Sequence, residues 1–91
     1  MKPRKFSLGH IVATPGALEL LDRTHTHALA LLARHVEGDW GELCPRDQQA
    51  NERSLEDGTR ILSNYPLTEG RLWIITEADR SLTTLLLPEE Y

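Results

Sequence analysis

Trp73-Ile74-Ile75-Thr76-Glu77-Ala78-Asp79-Arg80-Ser81-Leu82-Thr83-Thr84-Leu85-Leu86-Leu87 reads as strand, tight turn and strand, halted by Pro88. Aromatic and β-branched residues fill its two arms, and Asp79 sits where turn aspartates bond the backbone N–H groups that follow them. An ordinary hairpin needs only a turn residue between apolar arms. Here Thr76, Glu77, Asp79, Arg80, Ser81, Thr83 and Thr84 crowd the junction with donors, acceptors and both charge signs. Such a concentration is either a hydrogen-bonded corner or the floor of a site.

Upstream of this hairpin, Arg60-Ile61-Leu62-Ser63-Asn64-Tyr65 forms a further strand ended by Pro66, with Leu67-Thr68-Glu69-Gly70 as the connection. Pro45 opens a helix that runs to Asp57 and closes at Gly58 in the left-handed cap position. Its inward stripe is Asp47, Asn51, Ser54 and Leu55, so its polar groups need partners or must stay wet. Earlier in the chain, Ala28, Leu31, Leu32 and Val36 recur at helical spacing in a segment expected to start at Thr24 or Thr26. Thr14-Pro15 starts a helix carrying Ala17, Leu18, Leu20 and Leu21, with Thr14 as its cap. A short strand, Leu8-Gly9-His10-Ile11-Val12-Ala13, precedes it. The expected fold is α+β: a short N-terminal strand, two to three helices, then a three-stranded antiparallel meander.

The 91 residues make one domain, 1–91, with 1–6 expected as a flexible tail. No apolar stretch approaches the roughly 20 residues that span a bilayer, so no membrane association is expected. The basic start, Met1-Lys2-Pro3-Arg4-Lys5, is not followed by the apolar run of a secretory signal. The one cysteine, Cys44, suits a reducing compartment, and the cytoplasm is the expected location. A net charge of −4 disfavours nucleic acid as the main partner, because phosphate-backbone binding relies on a basic surface.

His25, His27 and His35, with Asp39 and Cys44 nearby, invite a metal reading. His25 and His27 are two apart and point to different faces of a helix, and Cys44 lacks a partner cysteine, so no metal is expected. There is no Gly-rich phosphate loop, nucleophile elbow or zincin helix, and no cofactor is expected. His35 lies at the edge of the buried stripe, before Glu37-Gly38-Asp39-Trp40-Gly41. It is either a boundary histidine at a helix C-terminus or an acid/base with Asp39 orienting its ring. Trp40 is either a core plug or an exposed anchor for a partner.

Ile11-Val12-Ala13-Thr14-Pro15-Gly16-Ala17-Leu18, Arg34-His35-Val36-Glu37-Gly38-Asp39-Trp40-Gly41-Glu42-Leu43, Trp73 through Arg80, Thr83-Thr84 and Leu87-Pro88-Glu89-Glu90-Tyr91 together resemble a set of small bacterial proteins. These are found on plasmids, phages and other mobile elements, often labelled plasmid-related and sometimes given a restriction-modification label. The resemblance covers nearly the whole chain. It implies a mobile-element setting and supplies no catalytic residues. The order of helices before a meander is also similar to barnase-like and RelE-like ribonucleases, an analogy of fold only.

The favoured expectation is a protein-binding module acting on a host or defence-system protein, in an anti-defence or inhibitor role. Its surface would include Glu37, Asp39, Trp40, Glu89, Glu90 and Tyr91. The alternative is a metal-independent ribonuclease-like or nucleotide-processing enzyme. It would use His35 as acid/base, Arg80 for phosphate charge, and Asn51, Ser63 and Thr84 as positioning groups. That reading puts Thr76, Arg80, Thr84 and Ser63 on one side of the sheet, facing His35 and Asn51. A third expectation is a homodimer or larger homo-oligomeric scaffold, which a small core favours.

Overall fold

The computed structural model describes residues 3–91. Its elements follow in the order β1 His10–Ala13, α1 Pro15–Arg23, α2 Ala28–Val36, α3 Pro45–Asp57, β2 Ile61–Leu67, β3 Gly70–Thr76, β4 Leu82–Leu86 and a 3₁₀ turn, Pro88–Glu90. The α+β class is as expected, with three helices and the meander in place. The N-terminal strand is not a separate piece. It joins the sheet beside β4, giving the order β1-β4-β3-β2, with β1 parallel to β4 and the other pairs antiparallel.

Local chemistry explains most boundaries. Thr14 Oγ1 accepts from the Ala17 N–H at 3.0 Å, and Pro15 occupies the first turn of α1. At the other end Thr24 and Thr26 do not open α2. Thr24 Oγ1 donates to Leu20 O at 2.8 Å and bonds Thr26 Oγ1 at 2.9 Å, while the Thr26 N–H bonds Leu21 O, so both threonines close α1. A threonine hydroxyl reaches the carbonyl four residues back as readily as it caps a helix, which is why the boundary shifts. α3 ends at Gly58 with φ 74°, as expected. β2 continues through Pro66 because its missing N–H falls on the outer side of an edge strand.

The helix-covered face of the sheet presents Ile61, Ser63, Tyr65, Leu72, Ile74, Thr76, Thr83 and Leu85, all buried. Leu8, Ala17, Leu21, Leu31, Leu32 and Val36 complete the core with the apolar members of that set. The N-terminal segment is docked from Lys5 onward, whose N–H bonds Val36 O at 2.8 Å, and Phe6 packs against the core. Lys5 and Phe6, within the segment expected as a tail, are thus docked; Met1 and Lys2 lie outside the described residues.

The two edges of the sheet differ. β2 is closed on its outer side. The Asn51 side chain donates to Leu62 O at 2.7 Å and accepts from the Leu62 N–H at 3.2 Å, copying a neighbouring strand with one amide. Trp40 O and the Glu42 N–H take the N–H and carbonyl of Asn64 at 3.0 and 2.7 Å. Gly41, at φ 76°, makes this approach feasible, since a Cβ there would collide with Asn64 O. Asn51→Ala should strip the paired bonds from Leu62 and lower stability by about 2 kcal/mol. Urea denaturation should show the midpoint fall with the slope unchanged.

Candidate functional site

Of the hairpin's polar residues, Thr76 meets His35 directly and Thr83 meets it through Thr76. The His35 Nδ1 lies 2.6 Å from Ser63 Oγ on β2 and its Nε2 2.9 Å from Thr76 Oγ1 on β3. Thr76 Oγ1 is 2.8 Å from Thr83 Oγ1 on β4, and Thr83 donates to Leu8 O at 2.7 Å. His35, Ser63, Thr76 and Thr83 are each 0% exposed.

The direction of this chain of bonds follows from proton counting. Leu8 O can only accept, so the single Thr83 hydroxyl proton goes to it. Thr76 must then donate to Thr83, and so accepts from His35. The imidazole therefore carries its proton on Nε2, and Nδ1 accepts from the Ser63 hydroxyl. Every hydroxyl donates once, and the buried ring is satisfied on both sides as a neutral group. Burial first, and the nearby positive charge of Arg80 second, push the His35 pKa down from 6.5 to about 3.

An aromatic cover closes the ring's edge. Phe6 meets His35 edge-on at 5.1 Å and stacks on Trp40 at 6.2 Å, while Trp40 is itself 6.1 Å from His35. Arg80 lies over the Phe6 ring at 5.7 Å. Its guanidinium is spent on backbone: it donates to Thr59 O at 2.7 Å, Ser54 O at 2.8 Å and Glu77 O at 3.1 Å, fastening the end of α3 to the hairpin. Arg80 also takes a left-handed φ of 61° at the turn. Asp79 forms the expected turn, accepting from the Ser81 hydroxyl and N–H, which hold its carboxyl below the usual range.

His35, Ser63 and Thr76 are thus brought together, while the other residues assigned to an enzyme site are not. Register pairs Thr76 with Thr83 and Ile75 with Thr84, so Thr84 belongs to the opposite face of the sheet. Asn51 is committed to the edge of β2 and Arg80 to three carbonyls. Asp39 does not orient His35, whose nitrogens both meet hydroxyls. Its carboxylate holds Arg34 at 2.7 and 3.4 Å and accepts the Gly41 N–H.

The residues expected to form a binding surface also divide. Trp40 is only 5% exposed and donates its Nε1–H to Glu52, so the core-plug reading holds and it presents no anchor. Glu37 and Asp39 sit at the end of α2. Glu89, Glu90 and Tyr91 belong to the C-terminal turn, where Tyr91 packs on Trp73 at 5.7 Å beneath Arg60 at 5.2 Å. Glu90 accepts from Thr14 Oγ1 and the Leu87 N–H, in that order of strength the reasons its carboxyl is held low.

Surface hollows lie apart from this cluster among the described residues. A shallow one of about 340 Å³ is lined by Leu21, Asp22, His25, Thr26 and His27 at the turn after α1. A second, of about 140 Å³, lies between β1 and α2. Among the described residues no group of three or more His, Cys, Asp or Glu side chains is placed to hold a metal ion, and no helix is long and apolar enough to cross a membrane. Comparison with protein-family models, with curated proteins and with solved structures gave no significant match.

The residues missed from sequence are Phe6 for the buried cluster, and Ile11, Val12 and Leu29 for the surface; sequence reading places Thr83 in the hairpin but does not assign it to the site. Ile11 and Val12 are 48% and 45% exposed, and Leu29 77%. A lone phenylalanine in a basic segment was the available signal for Phe6. For Leu29 it was a leucine off the Ala28, Leu31, Leu32 stripe.

Proposed function

We propose that this chain is a protein-binding module of a mobile element, acting in the cytoplasm on a protein of the host or of its defence machinery. The observation that carries the reading is the outer strand β1, whose Ile11 and Val12 present β-branched side chains to solvent on both faces of the sheet. Buried strands use such residues; exposed together on an edge that no other strand pairs among the described residues, they mark a surface for another chain. The mobile-element setting rests on the resemblance of the sequence segments quoted above. The acidic balance of −4 favours a protein over a nucleic acid as the partner.

The enzymatic alternative has less support. A general acid or base must reach the proton it moves, and His35 is wholly buried with both nitrogens engaged. The tagged full chain, incubated with bacterial lysate with and without nuclease and read by mass spectrometry, tests the reading. One stoichiometric protein retained after nuclease treatment is the expected result. Recovery of RNA alone, or of no partner, would overturn it.

A further inference from the structure

We infer that the chain takes its partner as an added β-strand: an extended segment lying along β1, with one apolar side chain in the groove beside α2 and a carboxylate against Arg4. This rests on the protein-binding reading and specifies its chemistry.

The first ground is the difference between the two edges. On β2 the outward groups of Leu62 and Asn64 are all taken from within the chain. On β1 the His10 N–H bonds Ser81 O and the Thr14 N–H bonds Leu85 O, so the even-numbered residues turn toward β4. Alternation along the strand then directs the N–H and carbonyl of Ile11 and Ala13 away from the sheet. Among the described residues nothing outside the sheet bonds to them. Two outward residues two apart offer four main-chain hydrogen bonds to an incoming strand. The edge carries no lysine, proline or bulge of the kind that discourages such pairing.

The second ground is the position of the groove. Ile11 pairs with Thr83, whose side chain is on the helix-covered face, so Ile11 points to that face as well. It lines the 140 Å³ groove with Leu29, Leu32 and Val36 of α2 and with Arg4. A strand added beyond β1 continues the sheet, and its side chains on the helix side fall into that groove. The volume suits one aliphatic side chain.

The third ground is charge, which selects the occupant. Among the described residues the groove is lined by the cation Arg4 and by apolar side chains, with no carboxylate in its wall. A second copy pairing β1 with β1 would bring His10, Ile11, Val12 and Ala13 to the edge and supply no acid for Arg4. A segment from another protein with an aliphatic residue and, two positions away on the same face, Asp or Glu meets both features.

The test is a phage-displayed library of random nonapeptides panned against the full chain, with Ala13→Pro, Leu29→Glu and Arg4→Glu as counter-targets. Proline at 13 removes one outward N–H and leaves the bonds to β4 intact; circular dichroism verifies that each variant folds. Enriched peptides should alternate β-branched residues and carry an aliphatic and an acidic residue two apart. A representative peptide should bind Leu29→Glu and Arg4→Glu about tenfold more weakly, and Ala13→Pro not detectably. No enrichment, or peptides that bind Ala13→Pro as well as the parent, would overturn the inference. So would a dimer in sedimentation equilibrium that Ala13→Pro dissolves, which would assign the edge to a second copy. A lysate partner retained equally by Ala13→Pro would sink strand addition while leaving the protein-binding function standing; absence of any lysate partner would sink both.

Discussion

Between pH 6.5 and 5 the folded protein is expected to lose about 2 kcal/mol of stability through His35 alone. The unfolded imidazole takes up its proton near pH 6.5, whereas burial, assisted by the charge of Arg80, holds the folded one down to about 3. Below 6.5 the unfolded state therefore binds more protons than the folded state. Stability falls with pH at about 1.4 kcal/mol per unit until the folded ring itself titrates. The carboxylates held low, Asp79 and Glu90, act in a lower window, because their share is lost only as pH falls through the carboxylate range. His35→Leu should start about 3 kcal/mol less stable, since it orphans the buried Ser63 hydroxyl and breaks the link to Thr76. Its urea midpoint should then be flat over the same interval. If the variant is too unstable to measure, the slope of the parent protein alone decides. A parent midpoint that is constant from pH 6.5 to 5 would contradict the neutral, buried ring.

Arg80 is expected to be the most costly surface-side residue to replace. Its guanidinium makes charge-assisted bonds to the carbonyls of Ser54, Thr59 and Glu77, joining the C-terminal turn of α3 to the hairpin. Removing the fork leaves three carbonyls without that donor, and Arg80→Ala should lose about 2–4 kcal/mol. Position 80 has a φ of 61°, so alanine keeps the backbone strain while losing the bonds. Arg80→Gly relaxes that strain and should recover about 1 kcal/mol relative to alanine. Arg80→Lys preserves charge but cannot reach three carbonyls, and should lie nearer alanine than the parent. Loss of the positive charge should also raise the His35 pKa, narrowing the gap from the unfolded value and ending the acid-driven loss at a higher pH. Equal stability of the lysine variant and the parent would show that charge, not the fork, matters.

Much of the fold could be read in the sequence because the deciding signals are local. Thr14-Pro15, Pro45 and Gly58 act within one helical turn, and the Asp79 turn within three residues. The parallel pairing of β1 with β4 could not be read this way, since it joins His10 to Leu82 across the whole chain. The candidate site turned on parity. Thr83 and Thr84 are adjacent threonines, and only the register set by the turn, with Arg80 in a left-handed conformation, decides that Thr83 joins Thr76 inside. Asn51 and Ser54 were legible as inward polar groups, while Asp47 is exposed in the first turn of α3, where a carboxylate suits the helix dipole. Phe6 escaped because its partners come from two distant parts of the chain, His35 and Trp40 around the end of α2 and Arg80 in the hairpin.

His35, Ser63, Thr76 and Thr83 build a sealed, neutral corner, and we place recognition elsewhere, at β1. The most direct measurement is the ¹⁵N chemical shifts of the His35 ring followed by NMR from pH 8 to 3. The account predicts a neutral ring protonated on Nε2, unchanged until pH falls below about 4. A ring that titrates near 6.5, or carries its proton on Nδ1, would contradict it and return His35 to the list of groups available for chemistry.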